Sequence, residues 1–487
     1  SSASYDRAHL RSTPSMPARR DLHTGRPNFL HRSWGPIEPF DDSMPQILKE
    51  HGVHTHLVTD HQHYWEDGGA TYHQRYATFE LVRGQEGDKW QPLPDGVPPA
   101  ANAFGRNASL PTGRHPDSID WQDRINRHFM RDTADLPQTR TFDEGLRFLD
   151  LNHATDRWLL HLETFDPHEP FHTTRFFKDL YAEHYDLWEK TDGRLWDWPG
   201  YEQVLDTHSR EMVDHMRHQY AALVSMCDAN LGRVLDAFDR YKLWDDTMLI
   251  VCTDHGFLLG EHDWWAKMRM PWWNELANTP FFVWDPRAAQ RGVAQGGTRR
   301  GALVQPAIDL APTLLRYFGA LPTADMTGHD LAPVIASDTP VREAAIYGVH
   351  GGHVNVTDGR HVYMRGPAGP TNAPLFEYTL MPTHMKNPFH PKELQPDRVA
   401  LAEPFPFMKG CATMRIGDRP AEQRNDKGWS TGVNGFGTRL YDLDADPGQE
   451  SPVTDATVEA KMTQHLVREM QRAHAPAEQY QRLGLSV

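Results

Sequence analysis

The sequence predicts a doubly wound α/β domain with a mostly parallel sheet, followed by a small C-terminal α+β subdomain. Three observations carry that expectation. Short apolar runs of strand length recur at 55–58, 157–162, 247–252 and 280–284. Segments with apolar residues at helical spacing lie between them, and alternation of this kind builds a sheet covered by helices. From about residue 340 the runs at 345–349, 353–357 and 361–365 follow one another without an intervening helix, which points to antiparallel strands.

Taken in order, the chain opens on a loop and a short helix starting near Pro17. A second helix spans about 42–51, with Gly52 placed to cap it. Strand 55–58 follows. Residues 66–145 are rich in Gly, Pro, Asn and Asp and read as a long irregular region over one face. Strand 157–162 runs into the loop 163–171. Met212, Met216, Tyr220, Leu223, Met226, Leu231, Val234 and Phe238 mark one helical stripe. Strand 247–252 ends at Thr253-Asp254-His255-Gly256, and strand 280–284 precedes a helix at 308–318. A terminal helix at 455–474 closes the C-terminal part. The expected division is therefore 1–335 for the catalytic α/β domain and 336–487 for the smaller subdomain.

Composition narrows the function. The 66 acidic and 50 basic side chains give a net charge of -16, the wrong sign for a general nucleic-acid surface. An anionic substrate must then be drawn in by a local cationic site. No stretch approaches the roughly 18 apolar residues of a membrane span. Three scattered cysteines, Cys227, Cys252 and Cys411, make neither a disulfide framework nor a metal motif; Cys252 reads as a small core residue at the end of its strand. The N-terminus lacks the basic start and apolar core of a signal peptide. The compartment stays open, cytoplasmic or periplasmic in a bacterium.

Three segments carry candidate chemistry. Asp254-His255 at a strand end suits a divalent cation, and equally a strand-end Asp capping a turn. Asp166-Pro167-His168-Glu169-Pro170 holds a histidine between two prolines, which removes backbone freedom and serves either catalysis or loop stability. Ser15-Met16-Pro17-Ala18-Arg19 places a small hydroxyl at a helix start, where anions are favoured and Arg19 comes round one turn later; Ser15 as a simple N-cap is the plainer reading.

Together these residues resemble the sulfatase family of the alkaline-phosphatase superfamily. That family's signature is Cys or Ser, any residue, Pro, Ser or Ala, a residue usually Arg, four variable positions, then Thr-Gly-Arg. Ser15, Pro17, Ala18, Arg19, Thr24, Gly25 and Arg26 fill it without a gap. Further matches come in the family's order: Asp166-Pro167-His168, then Asp228, Gly232, Arg233, Val234 and Leu235. Thr253-Asp254-His255-Gly256 with Gly260-Glu261-His262 and Lys267 come next. Asp309–Leu315, and Leu440–Leu443 with Asp446-Pro447, complete the series.

The resemblance implies an alkaline-phosphatase-type sheet and hydrolysis of sulfate esters. By that analogy Ser15 is the precursor of a formylglycine nucleophile, made by a formylglycine-generating enzyme, and Arg19 stabilises its hydrate. Asp254 and His255 would bind a divalent cation, calcium first and manganese, magnesium or zinc as alternatives. His168 and Lys267 would flank the ester, with Thr24, His61 and His63 as substrate-binding candidates. The implied partner is a small-molecule or carbohydrate sulfate ester, with no nucleic acid, no membrane span and a homo-oligomer as one form of the protein.

Three departures from the pattern stand out. Ser15 occupies a position where most members of this type carry Cys. The family's first metal pair, an Asp-Asp or Asp-Ser at the end of a first strand, has no counterpart, so that strand is expected to be missing ahead of Ser15. Thr59-Asp60-His61-Gln62-His63 replaces a Gly-Lys-Trp-His element, and the sequence does not choose between His61 and His63. A phosphodiester or phosphonate monoester hydrolase uses the same constellation and is the nearest alternative; a catalytically silent binding protein is the other. The loops at 66–145 and 366–430 are expected to decide the substrate.

Overall fold

A computed structural model describes residues 2–104, 118–196, 200–269, 271–417 and 433–486. Parts of both loops expected to decide the substrate, 105–117 and 418–430, lie outside the described residues. The strands are β1 (Ala3–Tyr5), β2 (Ser12–Thr13), β3 (His54–Thr59), β4 (Thr78–Leu81), β5 (Trp158–Glu163), β6 (Leu249–Cys252), β7 (Leu258–Leu259), β8 (Trp265–Ala266) and β9 (Phe281–Trp284). They continue as β10 (Arg299–Arg300), β11 (Ala345–Val349), β12 (Val354–Thr357), β13 (His361–Arg365), β14 (Phe376–Thr379), β15 (Val399–Ala402), β16 (Thr413–Gly417) and β17 (Arg439–Asp442).

Two sheets flank the site. One is parallel, in the order β4-β3-β5; the other runs β10-β1-β9-β6. The parallel expectation holds in the first. In the second, β9 is antiparallel to both β1 and β6. The 16-residue helix Pro137–Asn152 and the 32-residue helix Arg210–Tyr241 bury Phe142, Phe148, Val234 and Phe238 against this layer. On the opposite side the helix Pro306–Tyr317 buries Leu310, Ala311, Leu314 and Leu315 with Ala3, Tyr5, Phe281 and Val283. Helices on both faces make the architecture α/β.

The C-terminal part is built on the sheet β17-β13-β12-β11-β2, antiparallel except for the β11–β2 edge. The helix Ala456–Arg472 buries Met462, Leu466 and Met470 against Val354, Val356 and Tyr363, and a seven-residue helix, Ala477–Leu483, follows it. Because β2 immediately precedes Ser15, this sheet also fixes the start of the site helix.

Two sequence expectations are corrected. Residues 66–145 are not a plain irregular region: they contain β4 and the helices Ile119–His128 and Pro137–Asn152. Trp121 and Ile125 on one face of the first helix are buried, but Gly and Pro on either side mask that short stripe. Cys252 is exposed rather than buried, because it ends β6, whose outer edge has no neighbouring strand among the described residues.

Asp309 ties the two parts together. It is fully buried and accepts from the Gln305 amide at 2.7 Å, the His329 amide at 2.8 Å and both Arg342 nitrogens at 2.6 and 2.5 Å. Burial alone would raise its pKa; the Arg342 guanidinium and these donors hold it low instead. Asp309→Ala would leave Arg342, 3% exposed, charged and without its counter-ion. We expect a loss of about 3–5 kcal/mol in urea unfolding; a loss under about 1 kcal/mol would show that the pair is not what joins these elements.

Candidate active site

Ser15 is the first residue of a ten-residue helix, Ser15–Thr24, that starts two positions earlier than the proline suggested. Pro17 is accommodated in its first turn, where backbone N–H groups have no helical partner. Pro14 is the N-cap and has no side-chain cap bond, and the Ser15 hydroxyl is turned to His255. The helix ends at Gly25 with φ +60°, and a Cβ there would press to 3.0 Å from Met326 Cγ; glycine is needed on both counts.

Buried Asp21 fixes this helix against the chain before and after it. Its carboxylate accepts from the Ser12 amide and hydroxyl at 2.8 Å each, and from the Asn28 amide and side chain at 3.0 and 2.9 Å. Burial nevertheless pushes its pKa up to about 6.

Ser15 Oγ lies 3.4 Å from His255 Nε2. His255 Nδ1 donates to the Gly256 carbonyl at 2.9 Å, so in the neutral ring the Nε2 lone pair faces the hydroxyl. Burial lowers the His255 pKa to about 4, with Asp254 opposing that shift. The ring is therefore an acceptor at neutral pH. Gly256 cannot carry a side chain, since a Cβ would sit 1.8 Å from the Glu275 carbonyl oxygen.

Arg19, one turn after Ser15, gathers the strand ends. Its Nη1 donates to the Ser15 carbonyl at 2.9 Å and to Asp254 Oδ2 at 3.4 Å, and its Nε donates to Glu163 Oε2 at 2.8 Å. Burial would weaken its charge, but Glu163, Tyr64 and Asp254 keep it firmly protonated. Asp254 stays ionised by the same logic: burial opposes it, and His255, Arg19 and Lys267 outweigh burial.

Lys267 is 3% exposed, with Nζ 3.8 Å from Glu169 Oε2 and no hydrogen bond. The residues on either side of it, Ala266 and Met268, have φ of +71° and +85°, a conformation that side chains other than glycine avoid. His168 Nδ1 donates to the Glu169 carbonyl at 2.6 Å, and burial followed by Lys267 holds its pKa well below the usual range. Arg19, His168, Asp254, His255 and Lys267 line one 1460 Å³ cavity.

Of the remaining candidates, His61 is fully buried, 5.1 Å ring to ring from Phe165, and its Nε2 has no hydrogen-bond partner. Its Nδ1 accepts from the His63 amide at 3.3 Å, which leaves Nε2 as the protonated nitrogen. His63 instead pairs with Glu66 at 2.6 Å and packs on Trp34. Thr24 is not at the cavity: its hydroxyl donates to the Arg20 carbonyl at 2.8 Å and it accepts from Asn28. It closes the far end of the helix. Sequence reasoning missed Glu163 and Glu169, which orient Arg19, His168 and Lys267. Their one signal is position, at the end of a strand and inside the Pro-flanked loop.

The donors for a divalent cation are too few. Asp254 offers a carboxylate and His255 an imidazole nitrogen, the latter oriented by a backbone carbonyl as metal-bound histidines are. Among the described residues no cluster of three or more acidic, His or Cys side chains could hold an ion, whereas calcium takes six to eight oxygens and structural zinc four ligands. Arg19 already occupies the Asp254 carboxylate. The residues present do not make a complete metal site. Calcium at about 1 mM should thus raise the Tm by less than about 1 °C; a rise of several degrees would reveal further donors.

Comparisons with known proteins bear on the family and the fold. The sulfatase family's sequence profile matches residues 3–320. Among curated relatives, an N-acetylglucosamine-6-O-sulfatase from Bacteroides thetaiotaomicron is 32% identical over 132 residues, covering 26% of this chain and 22% of that protein. An arylsulfatase from Clostridium perfringens is 24% identical over 227 residues, covering 44% and 45%. The chain thus spans less than half the length of these relatives. Among solved structures, the phosphonate monoester hydrolase of Agrobacterium radiobacter superposes with a TM-score of 0.62 at 16% identity, covering 99% of this chain and 90% of that one. A protein solved with its substrate D-glucosamine-2-N,6-O-disulfate gives 0.60 at 14% identity, covering 98% and 92%. With its profile match running from the first strand past the helix Pro306–Tyr317, the chain belongs to the sulfatase family.

Proposed function

We propose that the chain hydrolyses sulfate esters of small molecules or carbohydrates, with the side chain of residue 15 as nucleophile. The observation that carries this reading is the Ser15 hydroxyl at the first residue of a helix, within reach of the His255 lone pair and backed by Arg19. Family membership and the sulfatase names of the relatives support it. A helix start and buried cations favour a dianionic or monoanionic ester head without help from the overall charge.

In this proposal a formylglycine-generating enzyme, with its own oxidant, removes two hydrogens from the Ser15 side chain to give an aldehyde, which hydrates. One hydroxyl of the hydrate attacks sulfur while its proton passes to His255 Nε2. The S–O bond to the alcohol breaks, and Lys267 supplies the proton to the departing oxygen, with neutral His168 beside it. The second hydroxyl is then deprotonated, its oxygen becomes the aldehyde C=O again, and the C–O bond to sulfate breaks. His255, used here as the base, and Asp254, held by Arg19, are the donors that the family resemblance assigns to a divalent cation, calcium first, and by themselves they do not complete its site. Arg19 and Lys267 carry the charge on the sulfate oxygens in this scheme, and His61 Nε2–H adds a neutral donor.

A phosphonate or phosphate ester hydrolase is the second reading. It is favoured by the serine itself, which can act unmodified beside His255. The mass of the tryptic peptide 12–19 from protein made in its native host separates the two. A peptide two hydrogens lighter that reacts with a hydrazine is expected; an unmodified serine, with faster cleavage of 4-nitrophenyl phosphate than of the sulfate, would overturn the sulfatase reading. His61→Ala should lower kcat/KM about 100-fold, whereas His63→Ala should stay within about tenfold; equal losses would remove the distinction between them.

A further inference from the structure

The turn that follows β4 ties two loops of the site together. Its ends are clasped by Arg83 and Asp88, whose side chains pair at 2.8 and 2.6 Å, and the Gly84 amide donates to the same carboxylate at 2.8 Å. Asn126, on the helix Ile119–His128, donates from Nδ2 to the Glu86 and Asp88 carbonyls at 3.0 and 2.8 Å. Two neighbouring residues of this turn then reach different loops. Gln85 Nε2 donates to Asp166 Oδ1 at 2.9 Å, at the start of the loop that carries His168 and Glu169. Glu86 Oε2 accepts from the side chain of Gln62, which stands between His61 and His63.

Glu86 is an unusual residue for so constrained a place. Its backbone has φ +47°, in the left-handed region that a glutamate ordinarily avoids. The residue is buried, and its carboxyl is bonded to a neutral amide rather than to a cation. Charged groups face it from four directions: Glu169 in the Pro-flanked loop, Lys386 beyond β14, Asp123 on the helix Ile119–His128, and Lys267 just after β8. Asp88, in the same turn, is neutralised by Arg83. Burial and then Glu169 outweigh the two lysines and push the Glu86 pKa up to about 8. Below that value the group is neutral. Above it, a negative charge appears beside Lys267 and competes with any anion for its field.

We propose that Glu86 is a positioning residue of the anion site: locked in its turn and bonded to Gln62, it stays a neutral acid and so leaves the positive charge of Lys267 to the ester head. Glu86 does not line the cavity that holds Lys267, so it acts through that lysine and not on the ester itself. The same turn, through Gln85 and Asp166, holds the loop from which Glu169 faces Lys267 at 3.8 Å. One buried carboxylate balances the lysine, and a second would overbalance it. This inference rests on the reading of the cavity as an anion site, and it adds a residue and an alkaline limit to that reading.

Inorganic sulfate is the probe, because its own charge is constant over the range used, and binding to the full chain is measured by calorimetry. Wild type is expected to bind it about fivefold more weakly at about pH 9 than at about pH 7.5, as Glu86 ionises. Asp166, raised by burial to about 7, has mostly ionised by the lower value and adds little to the change. Glu86→Gln copies the neutral acid. It should match wild type at about pH 7.5 and stay within about twofold across the range. A Glu86→Gln protein that weakens with pH as wild type does, or that binds more than about tenfold more weakly at about pH 7.5, would overturn the proposal. So would a wild type that binds sulfate equally at both values, although the anion site would then stand. No binding by wild type at either value would remove the anion site itself, and the proposal with it.

Discussion

The arrangement depends on one side chain, Arg19, which holds two sheets and a helix in register. Its guanidinium spans from Glu163, the last residue of β5, to Asp254, just past β6, while also binding the Ser15 carbonyl. Among the described residues no strand pairing joins β5 to β6, and this fork links their ends at the site. Arginine suits the task because its planar donors have fixed directions, whereas a lysine would offer one mobile point charge. The two carboxylates also keep the cation charged despite burial.

Charge at the site is balanced in pairs. Arg19 sits between Glu163 and Asp254, and Lys267 faces Glu169, which Tyr201 also contacts and beside which His168 is held. The histidines are kept neutral by burial and by these cations. The result is a cavity whose cations are countered from behind. Buried Lys267 lines that cavity with no hydrogen-bond partner among the described residues, in a medium where a contact with an anion is stronger than in water.

Much of this was legible in the residues. The spacing of Ser15 and Arg19 is one helical turn, and Asp254-His255 stands where an apolar strand ends, but only the family resemblance brought them into one site. Strand–helix alternation likewise carried the α/β architecture. What pattern could not reach were the long-range partners. Glu163 and Glu169 are ordinary loop and strand-end acids until the fold brings them to Arg19, 144 positions away in one case, and to Lys267. Thr24 failed for the opposite reason: it shares the motif with Ser15 but lies at the other end of the same helix, where its hydroxyl serves the Arg20 carbonyl. Cys252 read as core because its strand is apolar; only the sheet order reveals that its edge is bare.

The central claim is that Arg19 holds residue 15 and the two strand ends in the arrangement proposed for sulfate-ester cleavage. The most direct measurement is kcat/KM for 4-nitrophenyl sulfate in Arg19→Lys, on protein whose residue 15 matches the wild type by mass. A lysine keeps the charge and loses the fork, so the account predicts a fall of about 100-fold or more. A value within threefold of wild type would contradict it.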